Sequence, residues 1–141
     1  MEDKEYTYLH ELPKELDDII HIAAPKTQSK MQGHGKFESK ERFTVFQNRK
    51  GHHRKNNLTY LLKCNNGIMI RIDINGKVHE HVPTPHVHIF DKSHNEGSKA
   101  IPLSDLKNYP YLKNDIEKSL KAFLTYNNFE IKGLQVSRNL V

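Results

Sequence analysis

Hydrophobic and polar residues alternate most regularly between positions 67 and 90. Ile68, Ile70, Ile72 and Ile74 occupy every second position, with Met69, Arg71 and Asp73 between them. That is the two-residue period of a strand with one face in a core. After the turn signal Asn75-Gly76 and a short loop bracketed by Pro83 and Pro85, alternation resumes in His86-Val87-His88-Ile89-Phe90. If both strands belong to one sheet, Arg71, Asp73, His86 and His88 gather on one surface. The sequence leaves their register open.

Upstream, Leu58–Cys64 reads as a strand, and Asn65-Asn66-Gly67 supplies hairpin chemistry into the next one. Residues 37–47 read as an earlier strand, packed through Phe43, Val45 and either Phe37 or Phe46. Residues 26–36 carry no periodicity and read as a connector. Leu12, Leu16, Ile19 and Ile20 recur at helical spacing, with Pro13 suited to a first turn, so a short helix is predicted from Pro13 to about Ala23. Residues 1–11 are polar apart from Tyr6, Tyr8 and Leu9 and read as an arm.

Downstream, 91–98 reads as loop and 99–103 as an edge strand that tolerates Pro102. Leu112, Ile116, Leu120, Phe123 and Leu124 form an apolar helical stripe ending at Asn127-Asn128. Phe129–Val136 is a last strand or a docked tail. The expected fold class is α+β: a mainly antiparallel, meander-like β-sheet flanked by an N-terminal and a C-terminal helix. A single domain over 1–141 is expected, with arm, helix and connector in 1–35, the sheet in 36–103, the C-terminal helix in 104–128 and a tail in 129–141.

Composition adds a chemical bias. Of the 141 residues, 22 are Lys or Arg and 17 are Asp or Glu, a formal charge of +5 that suits an anionic partner. The one cysteine, Cys64, excludes an internal disulfide and argues against a cysteine-based zinc site. No signal-peptide pattern and no apolar run of membrane-spanning length is present. The expectation is a soluble protein in the cytoplasm of a bacterial or phage-infected cell, with no membrane partner.

Candidate chemistry centres on histidine. His79/His81 and His86/His88 are two His-x-His pairs, and residues two apart on a strand point the same way. Asp73 or His94 would supply a third metal ligand. The Glu that follows such a pair closely in metal-dependent barrels is displaced here to Glu96. No metal ligand and no cofactor is therefore assigned, with His79 and His81 kept as the weak candidates. Pro85–Phe90 also approaches the alternating histidine triad of nucleotide hydrolases, but its third place is Phe90.

What remains is a metal-independent, ribonuclease-like scheme. One of His86 and His88 would be general base and the other general acid, with Arg71 on the phosphate and Asp73 beside them. The alternative is a structural cluster in which the same four residues hydrogen-bond across neighbouring strands. Arg49, Lys50, His52, His53, Arg54 and Lys55 make a basic loop suited to phosphate contact. Tyr60 stacks a base beside it or belongs to the core. Walker A, dinucleotide, nucleophile-elbow and His-Glu-x-x-His motifs are missing.

Arg71-x-Asp73-x-Asn75-Gly76-x-x-His79, Pro85-His86-x-His88-Ile89-Phe90 and Phe123-Leu124 resemble the signature of an uncharacterised family of small proteins from Gram-positive bacteria and their mobile elements. That likeness covers roughly 36–127 and implies a fold without an activity. More distantly, the order Arg-x-Asp, His, Pro-His-x-His is similar to the core of TumE-type toxins of toxin–antitoxin pairs, although single histidines stand at 79 and 86 where the toxins tend to have doublets. That similarity implies a toxin-like protein of a mobile element or prophage that binds or cleaves RNA and has an antitoxin partner. The alternative is a non-enzymatic, phage-encoded inhibitor of a nucleic-acid-directed defence system, of the anti-CRISPR type, bound to a defence effector. The sequence does not fix the oligomeric state.

Overall fold

Buried and exposed residues alternate along most strands of a computed structural model of the chain, which describes residues 1–51, 57–76, 81–110 and 115–138. The elements run α1 (Asp3–Glu11), β1 (Lys14–Leu16), β2 (Ile20–Ile22), β3 (Gln28–Gly35), β4 (Arg42–Asn48), β5 (Leu58–Cys64), β6 (Gly67–Asn75), β7 (His86–Ile89), β8 (Ala100–Pro102), α2 (Ile116–Tyr126) and β9 (Val136–Arg138). Seven strands form one sheet in the order β1-β3-β4-β5-β6-β7-β8. Every pairing in it is antiparallel, so β3 to β8 is a continuous meander. β2 leaves that sheet to pair in parallel with β9. The α+β class and the two flanking helices are as expected. No helix among the described residues is long and apolar enough to cross a membrane.

The N-terminal helix lies earlier than predicted. Residues 3–11 form α1, which buries Tyr6 and Leu9, three positions apart on one face. The segment expected to be helical from Pro13 to Ala23 is instead β1 and β2. The inward positions there are Lys14, Leu16, Ile20 and Ile22. A fully buried lysine hid the strand period in 14–16. The supposed connector 26–36 contains β3, whose inward residues are Ser29, Met31, Gly33 and Gly35. Glycine is required at 33, where a Cβ would stand 2.7 Å from the Glu15 carbonyl oxygen and 2.8 Å from the Phe129 ring.

Both helices pack on one face of the seven-stranded sheet. Tyr60 stacks on Phe123 of α2 at 5.2 Å between ring centroids, and His10 of α1 meets Tyr126 at 4.8 Å. Phe43, Val45, Leu62, Ile70, Ile72 and Val87 fill the same core with Leu120 and Leu124. Burying each such side chain contributes about 1.5–3 kcal/mol. Tyr60 thus belongs to the core. Ile70, Ile72 and Ile74 are buried as the alternation predicts, but a bulge between Leu62 and Lys63 shifts the register. Met69 is consequently buried and Ile68 only half-buried. Phe37 and Phe46 also leave the core: the first is exposed in the β3–β4 connection, the second lies on the opposite face.

Candidate functional site

The register of β6 and β7 pairs Asp73 with His86 and Arg71 with His88. Directly opposed residues of an antiparallel pair project to the same side. All four therefore lie together, on the sheet face that neither helix covers. His86 Nε2 is 2.8 Å and His88 Nε2 3.4 Å from Asp73 Oδ2. Arg71 donates from Nε to Asp73 Oδ1 at 3.1 Å and from Nη2 to Oδ2 at 3.1 Å. The Thr59 hydroxyl donates to Oδ1 at 3.2 Å.

The side chains of His86 and His88 are 1% and 2% exposed, Asp73 15% and Arg71 36%. Solvent therefore meets the cluster through Arg71 and Asp73. Burial alone would raise the Asp73 carboxyl. Hydrogen bonds from His88 and Arg71, with the charges of Arg71 and His86, outweigh it and hold the group well below the usual carboxylate range.

The outer ring nitrogens are fixed by backbone. His86 Nδ1 donates to the Val82 carbonyl at 3.1 Å and His88 Nδ1 to the Gly97 carbonyl at 2.8 Å. Each imidazole thus lies between two acceptors, a carbonyl at Nδ1 and the carboxylate at Nε2. A neutral imidazole has a single N–H.

The cluster ends a row that runs across the sheet. Register places Lys30, Phe46, Leu61, Arg71 and His88 side by side on β3, β4, β5, β6 and β7. Phe46 and Leu61 are half-buried there, and Lys30 and the nearby Lys63 are exposed. Among the described residues neither lysine forms an ion pair. Sequence reasoning missed this row. Its only trace is Phe46, Leu61 and Lys63 falling out of phase with the inward positions of their strands.

The other sequence candidates are more scattered. Arg49 turns its Nη1 to the Ala23 carbonyl at 2.7 Å, and Lys50 is exposed. His52, His53, Arg54 and Lys55 lie outside the described residues, as does His79. His81 is exposed in a turn with a positive φ of 67°.

A family model matches residues 1–129, so it spans α1 to the end of α2 and takes in the whole cluster. The chain belongs to a family of unknown function, DUF6978. The match includes the N-terminal segment that the sequence pattern alone left outside the likeness. No curated protein and no solved structure matches the chain. The family thus supplies a common fold and no reaction.

Proposed function

We propose that this protein binds single-stranded RNA across the uncovered sheet face, with a phosphate placed at Arg71 beside Asp73, His86 and His88. We propose further that it does so as a toxin-like protein of a bacterial mobile element or prophage. The observation that carries the reading is the row Lys30, Phe46, Leu61, Arg71, His88. It sets the cations Lys30 and Arg71, suited to phosphates, on either side of Phe46 and Leu61, suited to bases, with buried His88 behind Arg71. Its accessible part, from Lys30 to Arg71, crosses four strands spaced 4.7–4.9 Å apart and is about 14 Å wide, enough for two or three stacked bases. The formal charge of +5 adds a favourable long-range field. The likeness to TumE-type toxins suggests the biological setting and an antitoxin as partner.

The test is fluorescence anisotropy with a labelled single-stranded RNA, alongside growth of bacteria expressing the protein. Wild type should bind the RNA and arrest growth. His86→Ala/His88→Ala should relieve the arrest while leaving the circular dichroism spectrum unchanged. Absence of RNA binding by the folded protein would refute the binding reading. Arrest that persists in the double variant would refute a role for the cluster in toxicity.

A further inference from the structure

We propose that Asp73, His86 and His88 hold one divalent transition-metal ion through Asp73 Oδ2 and the Nε2 atoms of both histidines. Their donor atoms all lie within 4.8 Å of one another. In a tetrahedral site with bonds of about 2.0–2.1 Å, neighbouring donors stand about 3.3 Å apart. The observed 2.8 Å and 3.4 Å from Oδ2 to the two nitrogens bracket that value. Binding would require one imidazole to move by no more than about 1–1.5 Å from the outer limit of the cluster.

The surroundings favour an ion over a chance meeting of side chains. Both Nδ1 atoms are tied to backbone carbonyls, so both Nε2 atoms are presented inward, as in metal sites whose ligating histidines donate their other N–H to an outer shell. Thr59 donates to Oδ1 and Arg71 spans both carboxylate oxygens, which fixes the carboxylate with Oδ2 facing the two imidazoles. Two ring nitrogens and a carboxylate oxygen thus converge on a point where one cation can meet all three. Two imidazoles and one carboxylate suit zinc, cobalt, nickel or iron(II) and not magnesium or calcium. Three protein ligands leave positions for water or a phosphate oxygen, reached past Arg71. A bound ion would polarise a phosphate or activate a water.

This deepens the account of the same cluster without resting on RNA. The ion is measured on RNA-free protein, and the RNA is measured again after chelation, so either idea can fail alone. Protein purified without a histidine tag and stripped of metal is titrated with Co²⁺ and then competed with Zn²⁺. Visible d–d bands should saturate at one equivalent and disappear with one equivalent of zinc. His86→Ala, His88→Ala and Asp73→Asn should each weaken uptake at least tenfold. Thr59→Val, through the carboxylate it orients, should weaken it about tenfold. His21→Ala, on β2 away from the cluster, should change nothing. Absence of saturable bands in wild type, or bands undiminished in the His86→Ala/His88→Ala protein, would overturn the proposal. Zn-edge X-ray absorption on loaded wild type needs no variant. At least two imidazole ligands support the site and fewer than two reject it.

Discussion

His88 donates its Nδ1–H to the carbonyl oxygen of Gly97, 2.8 Å away and nine residues further along the chain. Gly97 can present that carbonyl because its φ is +89°, a conformation costly for a residue with a Cβ. A Cβ there would also stand 2.5 Å from the Phe90 ring. Gly97→Ala should therefore destabilise the protein by about 1–3 kcal/mol, and thermal melts should show a lower Tm. A Tm equal to wild type would mean that the 90–97 segment does not hold His88 in place.

Lys14 is a second point where a buried polar group ties distant elements together. Its ammonium is fully buried and donates to the carbonyls of His10, Leu12 and Asn127 at 2.9, 2.9 and 2.7 Å. Those carbonyls belong to the C-terminal ends of α1 and α2, where a cation is favoured. The Phe43 and Phe129 rings lie 5.0 and 5.8 Å from the nitrogen. Lys14→Met should cost about 3 kcal/mol in urea unfolding, because three carbonyls lose their donor.

The same lysine predicts a pH dependence. Burial pushes its pKa down to about 7, against 10.5 for an exposed lysine. Between those values the unfolded chain binds the additional proton, so stability should rise with pH, by up to about 1.4 kcal/mol per unit. Tyr60, pushed up to about 12 by burial, acts oppositely above pH 10: the unfolded tyrosine loses its proton first and stability falls. Urea midpoints at pH 7, 8, 9 and 10 for wild type and Lys14→Met separate these effects. The difference between the two proteins should widen as pH rises from 7 towards 10, because only wild type gains from the depressed lysine, and a constant difference would refute the assignment to Lys14.

What the sequence conveyed depended on which residues face inward. β5 to β7 were legible because apolar residues fill alternate inward positions, β-branched ones in β6 and β7, and Asn-Gly pairs mark the turns. Arg71, Asp73, His86 and His88 could be grouped for the same reason, since period and strand adjacency suffice. β1 and β3 were not legible because Lys14, Ser29, Gly33 and Gly35 occupy the inward places. The bulge at Met69 and the carbonyls of Val82 and Gly97 leave no side-chain signal at all. Nor does the Lys30–Phe46–Leu61 row, because the register between strands belongs to the tertiary fold.

Gln47 joins the small β2/β9 sheet region to α2. Its Oε1 accepts from the Ala23 N–H at 2.8 Å, and its Nε2 donates to the Tyr60 hydroxyl and the Ile116 carbonyl, both at 3.0 Å. Gln47→Leu keeps the volume and removes all three bonds, leaving buried groups unpaired. The expected loss is about 2–3 kcal/mol. Hydrogen exchange should show faster opening at Ala23 and little change at Ile70, and uniform opening of both would sink the local account.

The RNA reading is decided by separating stacking from charge. Phe46 is half-buried on the uncovered face, so Phe46→Ala should lower Tm only slightly while weakening single-stranded RNA binding by about 1–3 kcal/mol, five- to 150-fold. That loss should be the same at low and high salt, because no phosphate contact is removed. Lys30→Ala and Lys63→Ala should behave in the opposite way: each weakens binding most at low salt and flattens the plot of log affinity against log salt by about 0.7 for a single strand. A basic protein that attracts RNA through diffuse charge alone would lose salt dependence with any lysine and be indifferent to Phe46. Measuring all three variants at two salt concentrations therefore distinguishes a shaped face from a merely positive one.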